Sequence, residues 1–376
     1  MIRSFVLLPI LTLALSQTWS APAYHGRPAS PSAGYPAPPS FVRPDTLALP
    51  CLQKAEALLD EVLSFMEKTY YKRDQVSWSD LTAGARERLR AATNCEDAYS
   101  SISWCFTQLR EPHSFIMDPD KAARYNGDES APSGPTNLSE LVGEIKGEWL
   151  QDSIAYLTIP WVSTTDSLVC EHIADSLQAV IARLDTRNIS RWIIDLRRNS
   201  GGNCWPMLAG IGPLLGEGVG GYFVAYGEKI PFAYYDGSAF QGKHVLCRVS
   251  NRGYKTRSSH NSIVVLTSRG TVSAGEILAL AFKGRQQTCL IGEATAGLTT
   301  ANATYSLSDK SMLVLTVCQE ADRTGRICEG SIQPDKYVSA DVTHPTGDIT
   351  HPTANVTGPT PADPVRAAAL AWLQNQ

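Results

Sequence analysis

Beyond its N-terminus the sequence has no apolar stretch near the ~20 residues needed to cross a bilayer, so the mature chain is expected to carry no membrane span. It has no Cys-x-x-Cys pair, which removes the usual signature of structural zinc. It also has no excess of positive charge. Its 33 Lys and Arg stand against 37 Asp and Glu, a formal net charge of −4, so nothing electrostatic favours nucleic acid or an anionic membrane surface as a partner. Neither a Gly-x-Gly-x-x-Gly run nor a Walker-type lysine follows the Gly201-Gly202 turn, which argues against a dinucleotide or phosphate loop there. No long-period internal repeat occurs, so a solenoid is not expected.

What is present begins with a stretch that looks like an export signal. Arg3 supplies a positive charge, Phe5 to Leu15 an apolar run of about half a membrane span, and Ser20 or Ala23 a small residue before cleavage. Residues 1–23 are therefore expected to be removed, and the mature protein to be secreted or extracellular (periplasmic in a bacterium). Nine cysteines agree with an oxidising compartment. Cys318 and Cys328 flank an expected hairpin, Asp322 to Arg326, and are expected to pair; Cys95 with Cys105 is a second candidate. The odd number leaves at least one thiol free or intermolecular. Asn137, Asn188, Asn302 and Asn355 stand in glycosylation triplets.

The Pro-, Ala-, Ser- and Gly-rich residues 24–48 read as a flexible leader. Residues 49–117 have helical periodicity, with Leu58, Leu59, Val62, Leu63 and Phe65-Met66 on one face, and 118–152 read as a linker. From residue 153 strands and helices alternate: Ile154 to Ile159, Ile173 to Leu184, Trp192 to Leu196, Met207 to Leu215, Tyr222 to Tyr226, then Ile263 to Leu266. That alternation predicts an α/β layered domain with much parallel sheet over 153–376. Leu307 to Val317 and Tyr337 to Val342 add strand-like pieces, and 344–361 is expected to be a disordered insertion. Pro364 to Leu373 is expected to close the chain as a helix, with proline in its first turn.

Ser273 is the most informative residue. It follows the apolar strand Ile263 to Leu266 and precedes the apolar run Ile277 to Phe282, so it sits at a strand-to-helix bend beside unpaired amides of a first helical turn. The plain alternative is an N-cap, with Glu276 completing a capping box. A nucleophilic serine needs a base, and His113, in the turn Leu109 to Ile116, is the histidine least readily assigned to a leader, tail, polar loop or helix surface. The strand Trp192 to Leu196 ends in Asp195-Leu-Arg-Arg-Asn-Ser-Gly-Gly202, where bare glycine amides can face a substrate carbonyl. With Arg197 and Arg198 nearby, Asp195 reads as a structural carboxylate.

Taken in order, His113-Ser114, Asp195 to Gly202, Ser273-Ala-Gly-Glu276, Gly292-Glu-Ala-Thr-Ala-Gly297 and Ser331-Ile-Gln-Pro-Asp335 resemble the tail-specific, or C-terminal-processing, serine peptidases. The resemblance runs from about residue 50 to the end. It implies a β/α core of the ClpP/crotonase kind with a small helical N-terminal region, and Ser273 as nucleophile. The bacterial processing enzymes place a lysine base after the glycine of the Gly-Glu-x-Thr-x-Gly segment; Leu298 stands there instead, and the nearest lysine is Lys283. The chain is more similar to the tricorn-like branch, which includes the retinoid-binding-protein repeats. That likeness implies His113 as base, with Ser114 and a distant glutamate, Glu329 or else Glu320, holding the imidazole. Amides of Ala274 and of Gly201 or Gly202 would form the oxyanion hole. No metal or organic cofactor is implied, and the substrate is a peptide or protein. No Gly-Leu-Gly-Phe-like loop occurs and the Ser114-to-Ser153 interval is short, so no PDZ domain is expected. The competing reading is a non-catalytic module that binds hydrophobic ligands on the same fold. Oligomeric state is left open.

Overall fold

The computed structural model describes residues 49–92, 95–128, 137–150, 154–185, 189–339 and 363–376. Among the described residues three α-helices come first: α1 (Leu49–Thr69), α2 (Trp78–Ala91) and α3 (Cys95–Gln108). On α1 the residues Ala55, Leu58, Leu59, Val62, Leu63 and Met66 recur at three- and four-residue spacing and are all buried, the pattern of one apolar helix face. They belong to the same hydrophobic core as the α/β part of the molecule.

Residues 118–152, expected as a linker, contain regular structure. β1 (Phe115–Met117) leads into α4 (Pro119–Tyr125), α5 (Leu138–Leu141) and β2 (Lys146–Trp149). The Asp118 side chain accepts the Lys121 N–H and caps α4, with proline in its first turn. The polar residues that suggest a loop are therefore in part helix-start signals.

The core alternates as expected. β3 (Ile154–Thr158), α6 (Ser167–Leu184), β4 (Arg191–Asp195), α7 (Cys204–Leu215), β9 (Ser262–Thr267), α8 (Ala274–Phe282) and β10 (Thr288–Gly292) build a sheet ordered β13-β10-β9-β4-β3-β2. Here β13 is Lys336–Tyr337. Every pairing is parallel except that of β2 with β3. Strands covered on both faces carry near-continuous apolar runs, and all six residues of β9 are buried. One face packs on α6, α7 and α8. The other is closed by α9 (Pro364–Gln374), whose Val365, Ala369 and Leu373 meet Ile154, Ile193, Val264 and Ile291.

A second, antiparallel sheet is less visible in the sequence. β5 (Gly218–Ala225), β6 (Glu228–Tyr235), β7 (Ser238–Gln241) and β8 (His244–Arg248) form a meander. β5 pairs with β12 (Met312–Ala321), which also pairs with β11 (Thr300–Ser306) and with β1. The strand expected over Leu307 to Val317 is thus a turn followed by part of β12.

The expected disulfides do not form. Cys105 is free and buried. It lies ten residues from Cys95 on α3, about 15 Å of helix rise, far beyond the ~7 Å Cα separation a bridge tolerates. The hairpin after β12 does form, with Asp322 N–H on Arg326 O. The Ala321–Ile327 bridge and the Cys328 N–H to Glu320 O bond set Cys328 opposite Glu320, two residues out of register with Cys318, and both thiols are free. Of the glycosylation candidates, Asn302 is fully buried and so closed to a glycan. Asn137 is exposed and caps α5. Asn188 and Asn355 lie outside the described residues, as do the expected signal, the leader and the insertion at 344–361.

Candidate active site

The site lies where β4 and β9 end, the side on which open parallel sheets present their loops. After β4 the chain turns through Asn199 to Gly202 before Asn203 caps α7 by accepting the Trp205 N–H at 3.1 Å. Asn199 Nδ2 donates to Pro160 O (2.9 Å), and its Oδ1 accepts the Gly201 N–H (3.0 Å). Gly202 has φ +99°, and a Cβ there would fall 1.8 Å from Val162 O, so only glycine fits. Asp195 is structural, as expected. It receives the Tyr156 hydroxyl and the Arg197 guanidinium, and Arg197 also pairs with Asp363 at 2.8 Å.

The loop after β9 approaches this turn closely. Val272 N–H donates to Asn199 O at 3.0 Å, and a Cβ on Gly275 would lie 2.7 Å from that oxygen. Ser273 has φ 53° and ψ −114°, a left-handed conformation rare for a side chain with Cβ and of the kind that clusters at functional sites. Glu276 holds it there. The buried Glu276 carboxylate accepts the N–H groups of Ser273 (2.9 Å), Gly297 (2.8 Å) and Leu298 (2.8 Å), and the Thr295 hydroxyl. The capping residue of the sequence reading is thus present, but it ties the bend to the loop that follows β10. Burial pushes the Glu276 carboxyl upward, and those donors oppose the shift.

The Ser273 side chain points elsewhere. Its Oγ lies 2.9 Å from His113 Nε2, joining residues 160 positions apart. His113 Nδ1 lies 2.8 Å from Thr300 Oγ1. The imidazole is buried, and desolvation pushes its pKa down to about 4, so it is neutral at pH 7. Ala274 and Gly202 have N–H groups without a hydrogen-bond partner among the described residues, whereas Gly201 N–H is committed to Asn199. Of the expected oxyanion donors, Gly201 is therefore unavailable.

A match to the model of peptidase family S41 over residues 153–338 covers the strands and loops that carry Ser273 and the Gly202 turn. The nisin-resistance protein of Lactococcus lactis subsp. lactis is 33% identical over 271 residues, covering 70% of this chain and 76% of its own. The chain belongs to peptidase family S41. Solved structures agree on the fold. A lipoprotein from Streptococcus agalactiae superposes with a TM-score of 0.63 at 22% identity, over 92% of this chain and 99% of its own. The photosystem II D1 C-terminal processing protease gives 0.50 at 16% identity, over 76% and 93%. Membership in S41 makes the chain a serine-type peptidase, and no helix among the described residues is long and apolar enough to span a membrane.

Within this S41 chain the partners expected around the imidazole differ from those found. Ser114 Oγ turns away from the ring, donating to Thr316 Oγ1 (3.1 Å) and accepting the Thr316 N–H (2.9 Å). Glu329 is exposed beyond the hairpin and has no hydrogen bond among the described residues to His113. Glu320 is fully buried on β12, but neither of its oxygens has a partner among the described residues, and burial beside Glu276 drives its pKa well up. Lys283 is occupied elsewhere, on Gln333 O and Asp335. Thr300, Asn302, Thr316 and Glu111 were not anticipated. They come from separate strands and a turn, and no spacing in the sequence connects them.

Proposed function

We propose that this S41 peptidase is an exported serine endopeptidase that uses Ser273 as nucleophile and His113 as base. The observation that carries the reading is the 2.9 Å approach of His113 Nε2 to Ser273 Oγ at a strained strand-to-helix bend. In the tautomer that lets Nε2 accept the serine proton, Nδ1–H donates to Thr300 Oγ1, so a hydroxyl orients the base. His113 accepts the proton as Oγ adds to the peptide carbonyl, and returns it to the amine leaving from the tetrahedral intermediate. The acyl-enzyme is then hydrolysed by water along the same route. The N–H groups of Ala274 and Gly202 are the candidate oxyanion donors; one such donor typically contributes about 3 kcal/mol to transition-state stabilisation. Export rests on the signal-like residues 1–23.

Fluorophosphonate labelling of the purified mature protein tests the nucleophile. Label on Ser273, lost in Ser273→Ala, is expected; label on another serine, or on none, defeats the assignment. Nisin is an apt first peptide substrate, given the relative named for resistance to it, with cleavage followed by mass spectrometry. Hydrophobic-ligand binding equal in wild type and Ser273→Ala, with hydrolysis by neither, would favour the binding module instead.

A further inference from the structure

We propose that Glu111 is a positioning residue for His113, acting through a buried clamp on the histidine's own peptide groups. The proposal rests on His113 being the base. Among the described residues the imidazole hydrogen-bonds only to hydroxyls, those of Ser273 and Thr300, so no carboxylate there orients the ring directly. What fixes it is the backbone. His113 lies in a turn between α3 and β1 that contains Arg110 at φ 52° and Pro112; the backbone bonds that tie this turn to α3 end at Glu111, whose N–H donates to Phe106 O.

Side chains define the position of residue 113. The His113 N–H donates to Glu111 Oε1 at 3.1 Å, and the His113 C=O accepts from Asn302 Nδ2 at 2.8 Å. Thr316 Oγ1 sits between the two, 3.0 Å from Glu111 Oε1 and 2.9 Å from Asn302 Oδ1, and accepts the Ser114 hydroxyl. On its other oxygen Glu111 receives the Tyr70 hydroxyl at 3.4 Å, just beyond the end of α1. Tyr71 N–H meets Thr316 O at 3.3 Å, which closes the network onto the same strand. Tyr70, Glu111, His113, Ser114, Asn302 and Thr316 are all buried. One carboxylate thus couples the helical N-terminal region and β12 to the position of the base. Misplacement of a reacting group by about 1 Å can cost roughly 100-fold in rate.

The test is a kinetic cycle on an activated ester, which leaves a measurable rate when the base is missing. Glu111→Ala is expected to lower kcat roughly 100-fold with KM within about threefold, the size of a ~1 Å displacement. Glu111→Gln keeps an acceptor for the His113 N–H and is expected to recover most of that loss. In a His113→Ala background Glu111→Ala is expected to have no further effect, because there is no base left to place. An equal loss in both backgrounds, or kcat within threefold of wild type for Glu111→Ala, overturns the clamp. Should Glu111→Ala not fold, Thr316→Val, similar in shape without the hydroxyl, carries the same cycle with the same outcomes. Wild-type hydrolysis by Ser273→Ala would instead remove the proposed function, and the clamp with it.

Discussion

Ser273 and His113 touch each other, yet the molecule holds them by different means. Ser273 follows the end of β9, an interior strand of the parallel sheet, and its strained bend is secured mainly by one carboxylate three residues away. His113 sits beside the antiparallel sheet and is secured by Thr300 and Asn302 of β11, 187 and 189 residues further along the chain, and by Glu111, which Thr316 of β12 braces in turn. The serine side is concentrated, and a single substitution can undo it. The histidine side is distributed over a network, so even its largest single loss, that of Glu111, should stop short of the effect of removing a member of the dyad.

The largest expected effect removes the dyad itself. Ser273→Ala or His113→Ala should lower kcat by roughly 10⁴-fold or more, each about as severe as both together, as for groups that act as a unit. Thermal unfolding of Ser273→Ala should stay close to wild type. Additive losses in the double variant would show that the two residues do not cooperate.

Glu276→Ala tests the concentrated side. It leaves three N–H groups and the Thr295 hydroxyl without their acceptor in a buried place, and should cost about 3–5 kcal/mol in denaturant unfolding, the usual range for breaking a buried charged network. A loss below about 1 kcal/mol, the size of an ordinary single hydrogen bond, would mean the bend has other support.

The pH profile tests the histidine side. With the imidazole pKa lowered to about 4, kcat/KM should stay level from pH 8 to about 5 and fall through an inflection near 4, where protonated His113 can no longer accept a proton. Stability follows the same sign. Between the unfolded-state value of about 6.5 and 4 the unfolded chain binds the proton that folded His113 refuses, so acidification through that window destabilises wild type relative to His113→Ala. An inflection at 6 or above would mean that the ring is solvated.

The smallest effect is expected where the two sides meet. Glu320 lies beside Glu276 with both oxygens unpartnered among the described residues, and burial together with that neighbouring charge holds its pKa well above the ordinary 4.5 of the unfolded chain. Wild-type stability should therefore fall, relative to Glu320→Gln, as pH rises above that value, by at most about 1.4 kcal/mol per pH unit. Matching slopes for the two proteins would show that Glu320 is ionised in the fold. Activity should change little, since Glu320 makes no bond to His113.

The same contrast accounts for what could be read from the sequence. The strand–serine–helix signal, the Gly201-Gly202 turn and Glu276 lie within short windows, where apolar periodicity and spacing carry information. The parallel core and α9 were legible for that reason. Of the β5–β8 meander only the Tyr222 to Ala225 part of β5 was, because the other strands mix glycine, lysine and tyrosine without clean alternation. Thr300, Asn302 and Thr316 were not legible either, since only the pairing of β11 with β12 and β1 brings them to the histidine. Ser273 and His113 stood out in the sequence itself and the family resemblance gave them their roles, but its Ser114–Glu329 support did not carry over to the geometry.

Seven cysteines are free among the described residues, and all but Cys328 are buried. Burial raises the thiols of Cys105 and Cys170 to about 12 and that of Cys289 to about 11, so they are inert while the fold is closed. Each becomes an ordinary thiol, ionising near 8.5, whenever its surroundings open. Alkylation rates at Cys105 in the helices, Cys289 in the parallel sheet and Cys318 in the antiparallel sheet therefore give the protein three internal clocks, timing how often each layer breathes.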